Sequence, residues 1–470
     1  TAFRPPVQTT VAEGAAANLI IRQPGGYSGN WSADETPYMI EPMNMLSSRR
    51  HEAVCFIGPA RSGKALDVDT PLPTPDGWKT MGEIKEGDHV IDQNGLPTEV
   101  VFVTEYQYGR ECLSVKFSDG ENLIADSEHL WGVERFYRHG ERWRYQVAST
   151  TEMAKDLIHS GTNSRYRVRN TLPIQLPEAN LPIDPYVLGL WLGDGDCKKS
   201  TIIAHESDAE ETAEYIRSAG YKCEVIGHSG LSSRIYIQKG IRGVKAADGS
   251  LLSLLKDFSL IGNKHIPKCY LRASAEQRLE LLRGLMDTDG HANPDTSQVT
   301  FTGKNKRLMT EAAELCRSLG FRVQSADQVS TWNHNGVKKE GTASRIFFSV
   351  PSELNVFKLR RKNARVRATG NRDVLVRSIV SITPVESRPV KCIQVAATDH
   401  LYLAGEGMIP THNTMALFDA WIAYAVTCDP GDFLCVQMTQ DKARDFSKTR
   451  VDRAIRHSPE LQKLMSTRGH

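Results

Sequence analysis

Three groups of residues have the types and spacing to do chemistry. The first is Gly58-Pro59-Ala60-Arg61-Ser62-Gly63-Lys64, a phosphate-binding G-x-x-x-x-G-K loop that follows the apolar run 51–57. Its Ser or Thr is missing. Ala65 stands next, and 66–78 is a proline-rich, turn-forming stretch where such a loop needs a helix. The missing threonine stands at Thr414, opening an amphipathic run over 414–424. Joined, Lys64 and Thr414 restore strand, loop and helix. Gly58, Gly63 and the helix N-terminus would then cradle phosphates, Lys64 would neutralise them, and Thr414 would hold Mg2+. The second group is Thr411-His412-Asn413, immediately before Thr414. The Asn413 side-chain amide can attack its own backbone carbonyl and cut the chain, with His412 protonating the leaving group. The third is a pair of acids, Asp194 and Asp289, each closing an apolar run just before a glycine.

Two halves of one loop that complete each other across intervening sequence resemble the exteins of an intein, a self-excising insert, here spanning Ala65 to Asn413. Other blocks carry the resemblance. Residues 65–90 resemble the N-terminal block. Residues 123–129 resemble the second block, T-x-x-H, with Asp126 in place of the threonine and His129 retained. Residues 390–395 and Asp399-His400-Leu401-Tyr402-Leu403 resemble the penultimate block. The family role of His129 is to polarise the upstream scissile amide. Most inteins begin with Cys or Ser, whereas Ala65 offers no nucleophile. Three explanations compete: an engineered replacement of a cysteine that traps the precursor, direct attack by Thr414, or attack by another side chain. The third is favoured by a resemblance to class 3 inteins. These share a Trp two residues after the second-block His (Trp131), a Cys in the penultimate block (Cys392) and a Thr before the terminal His-Asn (Thr411). The resemblance implies that Cys392 attacks the Lys64–Ala65 bond, that Thr414 takes the acyl group, and that Asn413 cyclises, with no cofactor. A thiol, with an ordinary pKa of ~8.5, is the better neutral-pH nucleophile, which favours Cys392 over Thr414 as first attacker.

Between these blocks the sequence repeats itself. The run 187–195 matches 282–290, each with small residues four apart: Gly189 and Gly193, Gly284 and Thr288. Those residues share a helix face, so the two helices can pack backbone to backbone and bring Asp194 and Asp289 together. Downstream, 201–203 matches 299–301, 216–221 matches 316–321, and 233–237 matches 344–348. This resembles the LAGLIDADG homing endonucleases, pseudo-two-fold αββαββα proteins. The resemblance implies Mg2+ on Asp194 and Asp289, double-stranded DNA as partner, and sheets in the major groove. Lys264, in a K-x-I-P block, is the candidate charge stabiliser. The homing site expected is the DNA that encodes the phosphate loop. Residues 358–377 hold eight Lys/Arg and one acid, which predicts a DNA-phosphate strip.

At roughly 150 residues per domain, 470 residues suggest about three domains. The expected layout is an N-extein over 1–64, a splicing domain over 65–165 and 372–413, an endonuclease over 166–371, and a C-extein over 414–470. The fold class expected is multidomain: a mainly-β Hedgehog/intein (Hint) horseshoe interrupted by an α+β endonuclease, flanked by pieces of an α/β P-loop ATPase. The exteins resemble the start of the ATPase domain of a phage terminase large subunit. That implies ATP and Mg2+ for the complete host, and phage DNA, the small terminase subunit and the portal as its partners. Walker B acids and a nuclease domain are expected beyond His470. A net charge of +2 means any basic surface is local. Nine cysteines without a C-x-x-C pair argue against zinc and a disulfide scaffold. No apolar run reaches the ~18 residues of a membrane span, and no signal peptide is evident. The insert is expected to be a monomer in the cytoplasm, that of the host cell for a phage-encoded chain. The competing reading is a P-loop ATPase fragment with a splicing-inactive insertion.

Overall fold

In the computed structural model the residues described are 9–18, 20–22, 28–30, 40, 44, 65–137, 142–227, 230–237, 250–334, 337–351, 354–366, 375–397 and 399–412. The phosphate loop 58–64, Asn413, Thr414 and the run 414–470 lie outside them.

The strands on either side of the insert build one antiparallel sheet. Its order is Arg142–Ser149, Leu130–Tyr137, Tyr166–Arg169, Val376–Val385, Cys112–Phe117, Asn122–Asp126, Leu66–Asp67, Val390–Lys391. Alternation drives it: Leu113, Val115 and Phe117 are buried while Lys116 is exposed. Leu66, Phe117, Trp131, Val133 and Ile379 meet in its core. Tyr166–Arg169 pairs into this sheet at Arg167↔Ser378, so the sheet keeps the chain past residue 165. The chain therefore leaves for the insert and returns from it on neighbouring strands, the close-ended geometry that tolerates domain insertion. The Leu401–Ala404 and Ile409–His412 strands form a separate hairpin, turned at Gly405 with φ +74°.

The insert has its own core, around two central helices. Pro185–Asp194 starts with Pro185 in its first turn and Asp184 accepting from the Val187 N–H at 3.0 Å. Ala275–Asp289 starts with a Ser274–Gln277 capping box. Each stops at a glycine, Gly195 or Gly290. The helices cross where the spacing of small residues predicts. A Cβ on Gly189 would lie 2.9 Å from Gly284 Cα, and one on Gly284 would lie 2.8 Å from Gly189 Cα. Around them the element order runs in parallel. After the second helix come Gly290–Ala292, Gln298–Gly303, helix Lys306–Ser318, Gln324–His334, Val337–Ser349 and helix Arg360–Asn363. After the first come Thr201–His205, helix Glu206–Ser218, Cys223–Gly227, Ser232–Ile237 and helix Leu251–Asp257. There the first strand is reduced to a single bridge, Gly195↔Ile202.

The insert also touches the sheet. Arg317 pairs with Glu121 at 2.5 Å, and Gln324 donates to the Ser118 carbonyl at 2.9 Å. Among the described residues no helix is long and apolar enough to cross a membrane.

Candidate active sites

Strand register assembles the upstream junction. Leu66 pairs with Ala125 on one side and Lys391 on the other. Continuing the second ladder by one residue sets Ala65 across from Cys392. Both are buried and share one apolar cluster with Cys112 and Val390. Asp126 bonds Ala65 twice: its N–H donates to the Ala65 carbonyl at 3.0 Å, and its carboxylate accepts from the Ala65 N–H at 3.3 Å. That N–H belongs to the scissile Lys64–Ala65 amide. Burial pushes the Asp126 carboxyl up, against the pull of Arg110, paired at 3.1 Å, and of the Ala65 N–H. Thr104 fixes Cys392 by exchanging two bonds with its backbone, each 3.0 Å. The thiol faces the Ile393 carbonyl at 3.6 Å.

A second cluster lies toward the downstream junction. His129 Nε2 meets Thr411 Oγ1 at 2.5 Å, and its ring packs edge-on against Trp131 with centroids 4.9 Å apart. Trp131 Nε1 donates to Thr150 Oγ1 at 2.9 Å, and Thr150 Oγ1 donates to the His129 carbonyl at 3.2 Å. These bonds lock the Trp–His pair. His129, Trp131 and Thr411 are thus brought together, with His129 contacting Thr411 and Asp126 contacting the upstream amide. His412 follows on the same strand, and its ring lies 6.2 Å from that of His400. His400 holds φ +58°, a left-handed conformation costly for a non-glycine residue and frequent at functional sites.

Sequence reasoning gave no role to Arg110, whose pairing with Asp126 follows no motif spacing. It also passed over Tyr402, the cross-strand partner of Thr411. The Tyr402 hydroxyl is buried with no hydrogen-bond partner among the described residues, and its ionisation is pushed up by burial with the Cys392 charge adding to it.

The insert brings its two acids together at the ends of the central helices. Burial, and then the charge of Asp289, push Asp194 up to about 6. Burial likewise raises Asp289. A helix C-terminus is a poor place for a carboxylate, and two lysines offset this. Lys264 Nζ donates to the Gly193 carbonyl at 2.8 Å. Lys362 Nζ donates to the carbonyls of Met286, Thr288 and Gly290 at 3.1, 2.6 and 3.0 Å. Burial lowers both lysines and the acids pull them back. Buried Asp287 accepts from Tyr186 at 2.7 Å and from the backbone N–H groups of Lys358 and Leu359, fixing the segment that carries Lys362.

The expected basic strip over 358–377 is corrected by these contacts. Lys358 pairs with Glu280 at 2.5 Å, Arg361 with Asp208 at 2.5 Å and Arg360 with Glu211 at 3.6 Å. Lys362 belongs to the acid pair, and Arg377 is buried against Asp119 at 3.1 Å. Four of the five cations over 358–366 are thus engaged within the chain, while Arg365 is exposed with no carboxylate partner among the described residues; residues 367–374 lie outside the described set.

Comparisons with known proteins match the flanks and the insert to different families. The phage terminase large subunit gpA ATPase domain matches in two pieces, residues 25–70 and 376–470. A LAGLIDADG-like domain matches residues 276–349, between them. The chain is 34% identical over 371 residues to a replicative DNA helicase DnaB of Mycobacterium intracellulare, covering 75% of this chain and 59% of that protein. It is 49% identical over 107 residues to the DnaB helicase of Mycobacterium leprae, covering 23% and 16%. The chain thus spans about 59% of the length of the first of these relatives. Among solved structures, the Msm DnaB1 intein splicing domain bound with zinc aligns at 17% identity and TM-score 0.23, over 74% of this chain and all of that one. I-DmoI in complex with DNA and Ca aligns at 13% identity and TM-score 0.26, over 39% and 95%.

A terminase domain matched in two pieces, a LAGLIDADG domain between them and a sheet drawn from both sides of the insert define the class. The chain thus carries a LAGLIDADG-like domain between two stretches that match the ATPase domain of a phage terminase large subunit.

Proposed function

We propose that this chain splices by the class 3 route. The Cys392 thiol attacks the Lys64 carbonyl, forming a thioester and releasing the Ala65 amine. The proton leaving the thiol passes to the departing Ala65 nitrogen, and Asp126, whose carboxylate accepts from that N–H and whose pKa is raised by burial, is placed to relay it. The Thr414 hydroxyl takes the acyl group from sulfur. Asn413 then cyclises, with His412 protonating the leaving group, and an acyl shift from oxygen to nitrogen joins Lys64 to Thr414. Trp131 and His129 orient the Thr411–His412 strand by the bonds described. The observation that carries this reading is the ladder that sets Ala65 against Asp126 and across from Cys392. Cys392→Ala is expected to abolish splicing; a variant that still splices assigns the first attack to Thr414. Asn413→Ala is expected to accumulate the branched ester, and free C-extein from that variant contradicts the cyclisation step.

The insert is read as a double-strand endonuclease of pseudo-two-fold αββαββα form, within a Hint horseshoe. Asp194 and Asp289 fit Mg2+: they are hard oxygen donors, neither forms a salt bridge among the described residues, and two carboxylates plus DNA phosphates suit that ion. Mg2+ bound there would supply charge stabilisation and activate water on the phosphodiester. Lys264 and Lys362 keep the two helix ends from repelling the acids and hold positive charge near the scissile phosphates. The boundaries proposed, moved past the Tyr166–Arg169 strand, are 65–169 and 372–413 for splicing and 170–371 for cutting. For the complete host we propose ATP and Mg2+ on Gly58, Gly63, Lys64 and Thr414, with phage DNA, small subunit and portal as partners, in the cytoplasm.

A further inference from the structure

Arg377 makes contacts that the sheet alone does not require. It stands on the Val376–Val385 strand, where the chain returns from the insert, and is buried. Burial pulls its guanidinium pKa down, and the charges of Asp119 and Glu121 pull it back. A buried ion pair is weak evidence for stability, because apolar side chains of similar volume often serve a fold as well. The donors of Arg377 show what else the pair does. Nη1 lies 3.1 Å from the Asp119 carboxylate and also donates to the Gly407 carbonyl at 2.9 Å, while Nε donates to Asn170 Oδ1 at 3.3 Å.

Gly407 lies in the turn between the Leu401–Ala404 and Ile409–His412 strands. That turn is tightly seated. A Cβ on Gly407 would lie 2.6 Å from Glu121 Cγ and 3.0 Å from Arg377 Nη1. The Gly405 N–H donates to the Pro71 carbonyl at 2.8 Å. Met408 holds φ +52°, a conformation that a non-glycine residue keeps only where its surroundings enforce it. Glu121 is itself held from the insert, by Arg317 on the Lys306–Ser318 helix at 2.5 Å. From this seat the cross-strand pairs run from Ala404↔Ile409 to Leu401↔His412 at the other end of the hairpin. There His129 meets Thr411 at 2.5 Å. The hairpin that carries His412 is thus fixed at both ends, by His129 at one and by Arg377 at the other. The upstream set stands apart from this seat. Asp126, which bonds the Ala65 amide, pairs with Cys112 at the far end of its ladder from the 118–121 turn.

We propose that Arg377 is a positioning residue for the downstream cleavage: through Gly407 it sets the hairpin that carries His412, the group that protonates the leaving group. It rests on the reading of Asn413 cyclisation as the step that frees residues 414–470. The test uses the full chain and follows two events in one preparation by mass spectrometry, release of residues 1–64 by added thiol and release of residues 414–470. Arg377→Met/Asp119→Asn removes the donor without leaving a buried charge unpaired. Gly407→Ala keeps the ion pair and displaces the turn by its methyl group. Misplacing a catalytic group by an ångström can cost ~100-fold, so both variants are expected to release 414–470 about 10- to 100-fold more slowly than the parent. Thiol-induced release of 1–64 should keep the parent rate. Arg377→Lys, which returns a cation to the Gly407 carbonyl, is expected to recover part of the loss. Parent-like release of 414–470 in both variants overturns the assignment. An equal fall of both events overturns it too, because a residue that only supports the fold would give that result. A parent whose Asn413 never forms a succinimide overturns the cyclisation reading instead.

Discussion

Asp194→Asn is expected to make the protein more stable while abolishing DNA cleavage. Asp194 sits at a helix C-terminus facing Asp289, and burial with that neighbour raises it from 3.8 to about 6. Two pH units at about 1.4 kcal/mol each give an upper bound of ~3 kcal/mol for what ionisation costs the folded state. The amide stays polar and partly desolvated, so a gain of about 1–2 kcal/mol is expected. For a domain of this size that is a rise in Tm of about 2–8 °C. The sign follows from the raised folded pKa. Below pH 4 the carboxyl is protonated in both states and costs nothing. As pH climbs through 6 the unfolded chain ionises more readily, and the margin is lost. The difference in Tm between variant and parent should therefore be near zero at pH 4 and grow to its full value by pH 7. Thermal melts of both proteins at those two pH values measure it, because the difference cancels the carboxylates other than Asp289, which faces Asp194. A variant less stable than the parent at pH 7, or a gap independent of pH, refutes the reasoning. Cleavage of a duplex encoding the joined phosphate loop, with Mg2+, should be lost.

Three further outcomes follow from single contacts. Lys362→Met removes a shared donor from three carbonyls, of which that of Met286 keeps the Gly290 N–H, so cleavage is expected to fall with a stability loss of about 2 kcal/mol in urea melts, while DNA affinity holds. Asp126→Ala removes the partner of the upstream amide and is expected to slow release of residues 1–64 about 100-fold, read by mass spectrometry. Tyr402→Phe deletes a buried hydroxyl that bonds nothing among the described residues, so stability should rise by about 1 kcal/mol; a loss of that size would mean the hydroxyl has a partner.

What was legible in the sequence is what a period or an interruption encodes. Small residues four apart announced the helix contact, and the structure puts Gly189 against Gly284. The split loop announced the junctions, although its glycines and Thr414 lie outside the described residues. Asp126 drew notice as a departure from the threonine pattern, and only the ladder shows that it holds the Ala65 amide. Charge pairing was illegible. Arg110 finds Asp126 by strand adjacency, and Lys362 finds three helix carbonyls because Asp287 anchors its segment. Both are long-range contacts with no spacing rule, which is also why residues 358–366 read as a free strip.

The central claim is that Cys392 carries the acyl group, and Thr414→Ala tests it most directly. Without the Thr414 hydroxyl, residues 1–64 should remain as a thioester on Cys392, and added thiol should release them as a discrete mass. Adding Cys392→Ala should eliminate that release. Undiminished release of residues 1–64 from the double variant would contradict it.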